Sequence, residues 1–170
     1  MTAILGRMLA LRRVTAADAA ALAEILADPT VAPWWGTFDA EKLRNDVLEP
    51  QPGVASFVIE VEGSVAGFIQ YSEENEPDYR HAGIDIAVGS SWQGRGIGPE
   101  AIRTLARHLF EERGHHRLTI DPAVANYRAI RAYERVGFRP VGIMRAYERG
   151  ADGVWHDGLL MDLLRGELRR

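Results

Sequence analysis

The chain has 170 residues, a formal net charge of −4 and a pI near 5.7. This length is enough for one domain with a full core, so we expect a single domain over residues 1–170. The negative charge argues against a nucleic-acid partner, and the absence of cysteine excludes a disulfide framework, a thiol nucleophile and a cysteine-based zinc site. No apolar run approaches the roughly 20 residues of a membrane span, and no signal-peptide pattern opens the chain, so we expect a cytoplasmic protein with no membrane partner.

The first half of the chain predicts a strand, two helices and a hairpin. Apolar and polar residues alternate in the first strand, and Thr15 and Asp18 then resemble a capping box with Asp in place of Glu. Turn residues at Glu62-Gly63 separate the two arms of the hairpin. The predicted elements are a strand at 8–13, a helix from 19 to Asp28-Pro29, a loop at 30–38, a helix at 39–48, strands at 56–61 and 64–71, and a polar surface loop at 72–80.

Strands and helices alternate in the second half, where each helix ends at a glycine. The predicted elements are a strand at 82–88, a helix at 99–113, a strand at 117–120, a helix at 126–136 and a hairpin of strands at 138–149 and 154–163. This order predicts an α/β fold with a mixed, mostly antiparallel sheet of about seven strands, flanked by about four helices on both faces.

The run Ser91–Pro99 has the composition of an anion-binding loop. Gly94, Gly96 and Gly98 lack a Cβ, so the backbone can approach a ligand closely. The helix that follows presents unpaired N–H groups and the positive end of its dipole at the same place. The sequence therefore predicts a cradle for a pyrophosphate.

Two other phosphate-binding motifs compare poorly with this loop. A P-loop needs a Gly-Lys-Ser/Thr ending, which the run lacks. A dinucleotide fold opens with its glycine-rich turn and needs an acid about 20 residues later, whereas this loop follows several strands and the nearest acid is Asp121. The position of Asp121 leaves a dinucleotide site open as the alternative.

Two motifs about 30 residues apart resemble the GCN5-related N-acetyltransferase (GNAT) family. They are Gln93-x-x-Gly96-x-Gly98 after the fourth strand and Asn126-x-x-Ala129-x-x-x-Tyr133-x-x-x-Gly137-Phe138 after the fifth. Within the family, Trp34-Trp35-Gly36, Gly83-Ile84-Asp85 and the segment from Asp121 to Glu134 look most like aminoglycoside 6'-N-acetyltransferases. Siderophore-pathway N-acyltransferases share a similar second half.

The resemblance implies acetyl-CoA as donor and a GNAT-type fold in which the fourth and fifth strands splay apart. The pyrophosphate would lie on the loop amides, with Arg95 free to pair a phosphate, and the pantetheine arm would pair with the fourth strand like an added strand. Asn126 could bond the arm's amides or act only as a helix N-cap. The implied donor-binding residues are Ile86, Ala87, Val88, Gln93, Gly94, Arg95, Gly96, Ile97, Gly98 and Asn126.

Tyr133 and Asp85 are the candidate catalytic residues. Tyr133 lies two helical turns after Asn126, so its phenol could donate to the departing sulfur; its other interpretation is packing on the sheet. Asp85 interrupts an apolar strand, and the resemblance implies that it orients the ammonium and accepts its proton. The structural alternative is an ion pair with Arg80 or Arg117.

The acceptor is expected to be a small cationic primary amine, with an aminoglycoside 6'-amine favoured. Asp121 and Asp85 would bind its ammonium groups, and Trp34 and Trp35 could form an aromatic wall, although Asp121 could equally serve a turn and one tryptophan the core. The acidic segment 73–78 would attract a cation. Histidine spacing predicts no metal.

Other functions remain open from the sequence alone. The acceptor could be a siderophore precursor or a protein N-terminus, or the domain could bind acyl-CoA without turnover. The final strands, at 141–147 and 154–163, could form the seam of a homodimer.

Overall fold

The computed structural model describes residues 2–170, and these form one eight-stranded sheet with helices on both faces. The strand order is β1-β2-β3-β4-β5-β6-β8-β7. The strands are β1 Ile4–Leu5, β2 Ala10–Arg13, β3 Val54–Val61, β4 Ser64–Glu74, β5 His81–Val88, β6 Arg117–Ile120, β7 Arg139–Arg149 and β8 Trp155–Leu164.

All neighbouring strands are antiparallel except β5 and β6, which are parallel. The mixed, mostly antiparallel sheet confirms the predicted fold class, with one more strand than expected. The extra strand is β1, which lies before the first predicted strand at 8–13. A turn in which the Gly6 N–H donates to the Leu9 carbonyl (2.9 Å) joins it to β2.

Five α-helices flank this sheet. They are α1 Ala19–Ala27, α2 Ala32–Trp35, α3 Ala40–Leu43, α4 Ile97–Glu111 and α5 Tyr127–Val136. The helix α4 buries Ile102, Leu105 and Leu109 against one face of the sheet, in the larger of two hydrophobic clusters. On the other face, α1 buries Leu22 and Leu26 in the smaller cluster. The sheet is thus covered on both faces, as the element order predicts.

The capping residues of the first helix act as predicted. The Thr15 N–H donates to the Asp18 carboxylate at 2.8 Å, and a 3₁₀ turn over Ala16–Asp18 leads into α1. Arg12 also donates to this carboxylate, and that bond holds the pKa of Asp18 at about 2. The charged pair stabilises the junction between β2 and α1.

Three local predictions were wrong in detail. Residues 32–35 form the short helix α2 instead of a loop, and the predicted helix at 39–48 is α3 followed by a π-helical turn over Arg44–Leu48. The second arm of the hairpin runs on to Glu74, so Glu73 belongs to a strand and not to a surface loop. Its side chain is only 5% exposed, because it accepts hydrogen bonds from Arg113 and His115.

The strands β5 and β6 separate soon after they meet. Their pairing covers Ala82 with Leu118 and Gly83 with Thr119, so the rest of β5, from Ile84 to Val88, extends beyond its contact with β6. The splayed pair expected from the family resemblance is therefore present. It opens a gap at the sheet edge where α4 and α5 begin.

The last strand in the sheet, β7, leaves one side without a neighbouring strand. Val141 and Ile143 on this strand are 53% and 61% exposed. The homodimer seam expected here stays a prediction. No helix within residues 2–170 combines the length and apolarity that crossing a membrane requires.

Candidate active site

The glycine-rich loop joins β5 to α4 in a conformation that glycine adopts easily. Gly94 and Gly96 have φ angles of 73° and 80°, in the left-handed region that side chains with a Cβ disfavour. Gly96 is the N-cap of α4, and the first bond within the helix runs from Glu100 N–H to the Gly96 carbonyl at 3.1 Å. The amides of Ile97 and Gly98 precede that bond, so they point out of the helix end as anion donors.

The side chain of Gln93 holds this loop in place. Its Nε2 donates to the Val88 carbonyl at 2.8 Å and to Thr30 Oγ1 at 2.9 Å, while its Oε1 accepts from Arg128 Nη1 at 2.9 Å. These bonds connect the end of β5, the segment after α1, and α5. Gln93, expected among the donor-binding residues, thus uses both ends of its amide within the protein.

A cavity of about 900 Å³ lies between the end of β5, the start of α4 and one face of α5; we call it the α4–α5 cavity. It contains nearly all of the expected donor-binding residues. Those that line it are Ile86, Ala87, Val88, Gln93, Gly94, Gly96, Ile97, Gly98 and Asn126.

Arg95 lies outside this cavity, and Asn126 has the helix-capping role that the sequence left open. Arg95 does not line the α4–α5 cavity; it is exposed, with its guanidinium 5.4 Å from the centroid of the Trp92 ring. Asn126 caps α5, because its Oδ1 accepts from Ala129 N–H at 3.2 Å. The cap uses only Oδ1, so the NH₂ group of Asn126, which lines both cavities, remains available as a donor.

A second cavity, of about 800 Å³, adjoins the first and carries a negative charge; we call it the carboxylate cavity. Five carboxylates and one histidine line it: Glu73, Glu74, Asp85, Asp121, Glu148 and His81. Trp34, Trp35, Ile86, Asn126 and Tyr133 line both cavities. The two cavities therefore meet at the mouth of the splayed strands.

Asp85 lies on the face of β5 that points into the carboxylate cavity. Gln70 Nε2 on the neighbouring strand approaches its Oδ2 at 3.5 Å. Burial, together with the nearby charges of Asp121 and Glu148, raises the pKa of Asp85 to about 6.

The expected structural partners of Asp85 are engaged elsewhere. Arg80 donates to the carbonyls of Gly114 and Arg113, and Arg117 pairs with Asp162 at 3.0 Å. The ion-pair interpretation of Asp85 is therefore not what the structure shows.

Tyr133 projects from α5 between the two cavities and packs against the hydrophobic core. Burial and the charges of Asp85 and Asp121 raise the pKa of its phenol far above the ordinary value. Tyr133 is thus a protonated hydrogen-bond donor at any physiological pH. Tyr133 therefore packs against the core and also lies where the two cavities meet, so its packing does not remove it from the site.

Asp121 ends β6 and accepts a hydrogen bond of 2.6 Å from the hydroxyl of Tyr147. That bond raises the pKa of Tyr147 to about 12. This bond engages Oδ2 alone, and Asp121 lines the carboxylate cavity. It is more than a turn residue here.

Tyr147 and Glu148 reach the site because β7 is irregular, and the sequence did not predict either of them. The register with β8 shifts between Met144 and Glu148, and Ala146 has a φ of 48°, held by a bond from its N–H to Asp157 Oδ1 at 2.8 Å. Such a bulge re-aims side chains. The burial of Glu148 raises its pKa, as does the charge of Asp121.

Trp34 and Trp35 differ in environment: one is exposed to the cavities and the other packs in the core. Trp35 packs on Phe68, with ring centroids 5.0 Å apart, and on Phe38 at 6.1 Å. Trp34 is 38% exposed and lines both cavities. Trp34 is therefore the more accessible aromatic wall, while Trp35 contributes mainly to the smaller core cluster.

The acidic segment 73–78 contributes less free charge than expected, because Glu73 is neutralised. Its bonds to Arg113 and His115 keep its pKa at about 2, and burial lowers the pKa of His115. Within the part of the chain that the structure describes, no group of three or more His, Asp or Glu side chains is arranged to hold a metal ion.

Comparison with known proteins identifies the family. The model of the acetyltransferase (GNAT) family matches residues 19–138. The chain belongs to this family. It is therefore an acetyl-CoA-dependent N-acetyltransferase, and the α4–α5 cavity fits the donor, since left-handed glycines open the loop and the splay leaves the end of β5 free.

Relatives of known activity are similar along most of the chain. Aminoglycoside N(6')-acetyltransferase type 1 of Klebsiella pneumoniae is 31% identical over 151 residues, which cover 78% of this chain and 74% of the relative. Streptothricin acetyltransferase of Streptomyces lavendulae is 33% identical over 155 residues, covering 86% and 77%. The crystal structure of aminoglycoside acetyltransferase AAC(6')-Ib with coenzyme A superposes with a TM-score of 0.76 at 27% identity, covering 92% and 95%.

The raised pKa of Asp85 has a consequence for stability. An ordinary Asp titrates near 3.8 and Asp85 near 6, so the folded state binds this proton more tightly than the unfolded state does. The free energy of unfolding then falls as pH rises from about 4 to 6, and the loss persists above 6. We expect Asp85→Asn to be more stable than the wild type at pH 8, by roughly 1–3 kcal/mol, with little difference at pH 4.

Urea denaturation at the two pH values measures this difference. Asp78→Asn, at an exposed position, is the matched control and should change stability little at either pH. An Asp85→Asn variant that is less stable than the wild type at pH 8 would contradict the assigned environment of Asp85.

Proposed function

We propose that this N-acetyltransferase transfers the acetyl group of acetyl-CoA directly to a primary amine of a small polycationic acceptor, with the aminoglycoside 6'-amine as the favoured position. The observation that carries the proposal is the carboxylate cavity, where Asp85, Asp121 and Glu148 converge beside the α4–α5 cavity. Only His81 among its lining residues is basic. A site of this charge favours ammonium groups.

On the donor side, the loop amides from Gly94 to Gly98 bind the diphosphate and the free end of β5 pairs with the pantetheine arm. Acetyl-CoA supplies an activated thioester carbonyl. Pro99 has no N–H, so the cradle has one donor fewer than a loop with Ser or Thr at that position. A backbone N–H near Ala87 or Val88 would stabilise the oxyanion that develops on this carbonyl.

Asp85 prepares the acceptor for attack. An amine is an effective nucleophile only when it is neutral, and the Asp85 carboxylate orients the ammonium and accepts its proton, directly or through water. With a pKa of about 6, Asp85 is ionised at neutral pH and is still a stronger base than an exposed Asp. This balance suits a general base.

Tyr133 acts on the leaving group of the reaction, the thiolate of coenzyme A. Its phenol stays protonated and lies where the two cavities meet, so it donates a proton to the leaving thiolate. Asp85 and Tyr133 therefore serve the acceptor and the leaving group, respectively.

Asp121 and Glu148 provide for a second positive charge on the acceptor. Both lie in the carboxylate cavity, and both contribute to raising the pKa of Asp85, so one bound ammonium leaves negative charge uncompensated. Relatives named for aminoglycoside and streptothricin acetylation support an acceptor with several amines.

The acceptor assignment predicts discrimination at a single atom. Two aminoglycosides that differ only in an amine or a hydroxyl at the 6' position should differ in turnover, because only the amine can be acetylated on nitrogen. Release of free CoA, followed by mass spectrometry and NMR of the product, measures the rate and locates the acetyl group.

Polyamines, lysine and hydroxylysine derivatives and N-terminal peptides form the comparison panel. Turnover with the 6'-amine compound and none with its 6'-hydroxyl partner supports the proposal. Turnover confined to hydroxylysine derivatives or peptides, with none for any aminoglycoside, would contradict the acceptor while leaving the donor assignment intact.

The proton-transfer roles predict losses in rate without losses in donor affinity. Asp85→Asn and Tyr133→Phe should each lower kcat by at least about tenfold, while calorimetry with acetyl-CoA gives an unchanged affinity. For the wild type, kcat/KM should rise as pH increases through about 6, as Asp85 loses its proton.

Exposed counterparts provide the controls. Asp78→Asn and Tyr79→Phe alter exposed side chains of the same chemistry that line neither cavity and should leave kcat unchanged. Wild-type protein that binds acetyl-CoA but turns over none of the panel would instead favour an acyl-CoA-binding module.

A further inference from the structure

The pairing of β7 with β8 is interrupted beside the carboxylate cavity, opposite Asp157. Met144 pairs with Gly158 on β8. The next paired residue of β7 is Glu148, which lies opposite His156. Three residues of β7 therefore face the single residue Asp157, one more than a simple bulge leaves in this position. The strand needs some other contact to hold this stretch in one conformation.

The Asp157 carboxylate supplies that contact at the middle of the stretch. Ala146 has a φ of 48°, a left-handed conformation that a residue with a Cβ disfavours. Its N–H lies outside the strand ladder and donates to Asp157 Oδ1 at 2.8 Å. A side chain of β8 thus takes the place of the missing backbone acceptor and stabilises the conformation of Ala146.

The backbone of the same residue holds the loop between β6 and α5. The Asp157 carbonyl accepts from the Val124 N–H at 3.0 Å, and nearby the Leu159 N–H donates to the Pro122 carbonyl at 2.8 Å. Pro122 directly follows Asp121. Asp157 is therefore bonded to both segments that bring these side chains to the carboxylate cavity, to β7 through its carboxylate and to the loop through its carbonyl.

Gly158 leaves room for the aromatic ring that the bulge directs toward the site. A Cβ on Gly158 would lie 2.9 Å from Cδ1 of Tyr147, closer than nonbonded carbon atoms pack, so the ring lies directly on the glycine. The hydroxyl of the same side chain donates to Asp121 Oδ2 at 2.6 Å. The position of Tyr147 thus depends on neighbouring residues of β8, the carboxylate of Asp157 and the missing side chain of Gly158.

We propose that Asp157 is a positioning residue for the acceptor. It holds Tyr147 and Glu148 at the carboxylate cavity and does not line that cavity itself. This inference rests on the proposed acceptor site. Without the bond from Asp157, Ala146 can leave the left-handed conformation, and the side chains that follow it then turn away from Asp121. The acceptor loses oriented carboxylates, whereas the donor site on β5 and α4 is unchanged.

Steady-state kinetics with kanamycin A and acetyl-CoA separate positioning from direct binding. Asp157→Ala removes the bond to Ala146 and should raise the KM for kanamycin A about tenfold. Its kcat should change less than about threefold, and calorimetry should give an unchanged affinity for acetyl-CoA. Asp157→Asn loses the charge but keeps Oδ1 as an acceptor for the Ala146 N–H, so its KM should stay near that of the wild type. An unchanged KM in Asp157→Ala, or an equal rise in both variants, would overturn the positioning role.

Gly158→Ala displaces the same ring by a second route. The added methyl group should push Tyr147 away from β8 and raise the acceptor KM in the same way. Gly142→Ala on β7 is the matched control, because a Cβ there would meet no atom within 4 Å beyond the adjacent residues. Asp152→Ala removes another carboxylate of the hairpin that accepts a backbone N–H, from Val154 at 2.9 Å. Both controls should keep the wild-type KM, and a rise as large as that in Gly158→Ala would overturn the inference.

An NMR measurement without acceptor tests the inference independently of the proposed function. The Tyr147 ring protons should show a nuclear Overhauser effect to the Gly158 Hα in the wild type and in Asp157→Asn, and should lose it in Asp157→Ala. Persistence of this contact in Asp157→Ala would overturn the positioning role for any acceptor. Wild-type protein that acetylates no aminoglycoside would instead refute the acceptor assignment, and the NMR contact would still decide the role of Asp157.

Discussion

The pairing of β5 with β6 stops after two residue pairs, and the rest of the site depends on that early separation. Strands in a continuous sheet satisfy each other's backbone groups. Beyond Gly83 the far side of β5 loses its partner, so the polar backbone of Ile86 to Val88 faces a gap. The gap can hold an extended ligand that supplies the missing hydrogen bonds.

Both functional helices follow from the same separation. The helix α4 begins after β5 and α5 after β6, so their N-termini lie on either side of the gap. Gln93 connects them, with bonds to Val88 and Arg128. The loop, the splayed strands and α5 therefore act as one frame that positions Tyr133 and the loop amides together.

The two cavities of this site differ in charge. Arginines line the α4–α5 cavity and carboxylates line the neighbouring one. An anionic donor and a cationic acceptor would each be attracted to its own side, and the neutral Tyr133 and Trp34 lie at the boundary. Burial and the neighbouring carboxylates disfavour the ionised form of Asp85 and raise its pKa. The proposed mechanism uses this raised pKa for proton transfer.

Local chemistry made much of this site predictable from the sequence. The left-handed conformations of Gly94 and Gly96 follow from glycine itself, and Asp85 is conspicuous because strand alternation places a charge among apolar neighbours. Tyr147 was not predictable, because it reaches Asp121 only through a bulge that depends on the bond between Ala146 and Asp157. Such tertiary contacts leave no periodic pattern in the sequence.

Glu73 is a second residue whose environment the sequence did not predict: it was expected to be exposed and is buried. It lies in the most polar segment of the chain, which favours a solvated loop, yet partners about 40 residues later, Arg113 and His115, bury it at the end of β4. Hydrophobic periodicity carries no information on pairing between polar groups so far apart in sequence. The fold class was therefore predictable, whereas the polar lining of the site was predictable only in part.

The most direct test is an NMR titration of ¹⁵N-labelled protein with acetyl-CoA. We expect the largest amide shifts on Gly94 to Gly98 and on Ile86 to Val88, with saturation at one equivalent of tightly bound donor. Saturable binding whose shifts lie outside these two segments would contradict the assignment of the donor to the backbone at the separated strands.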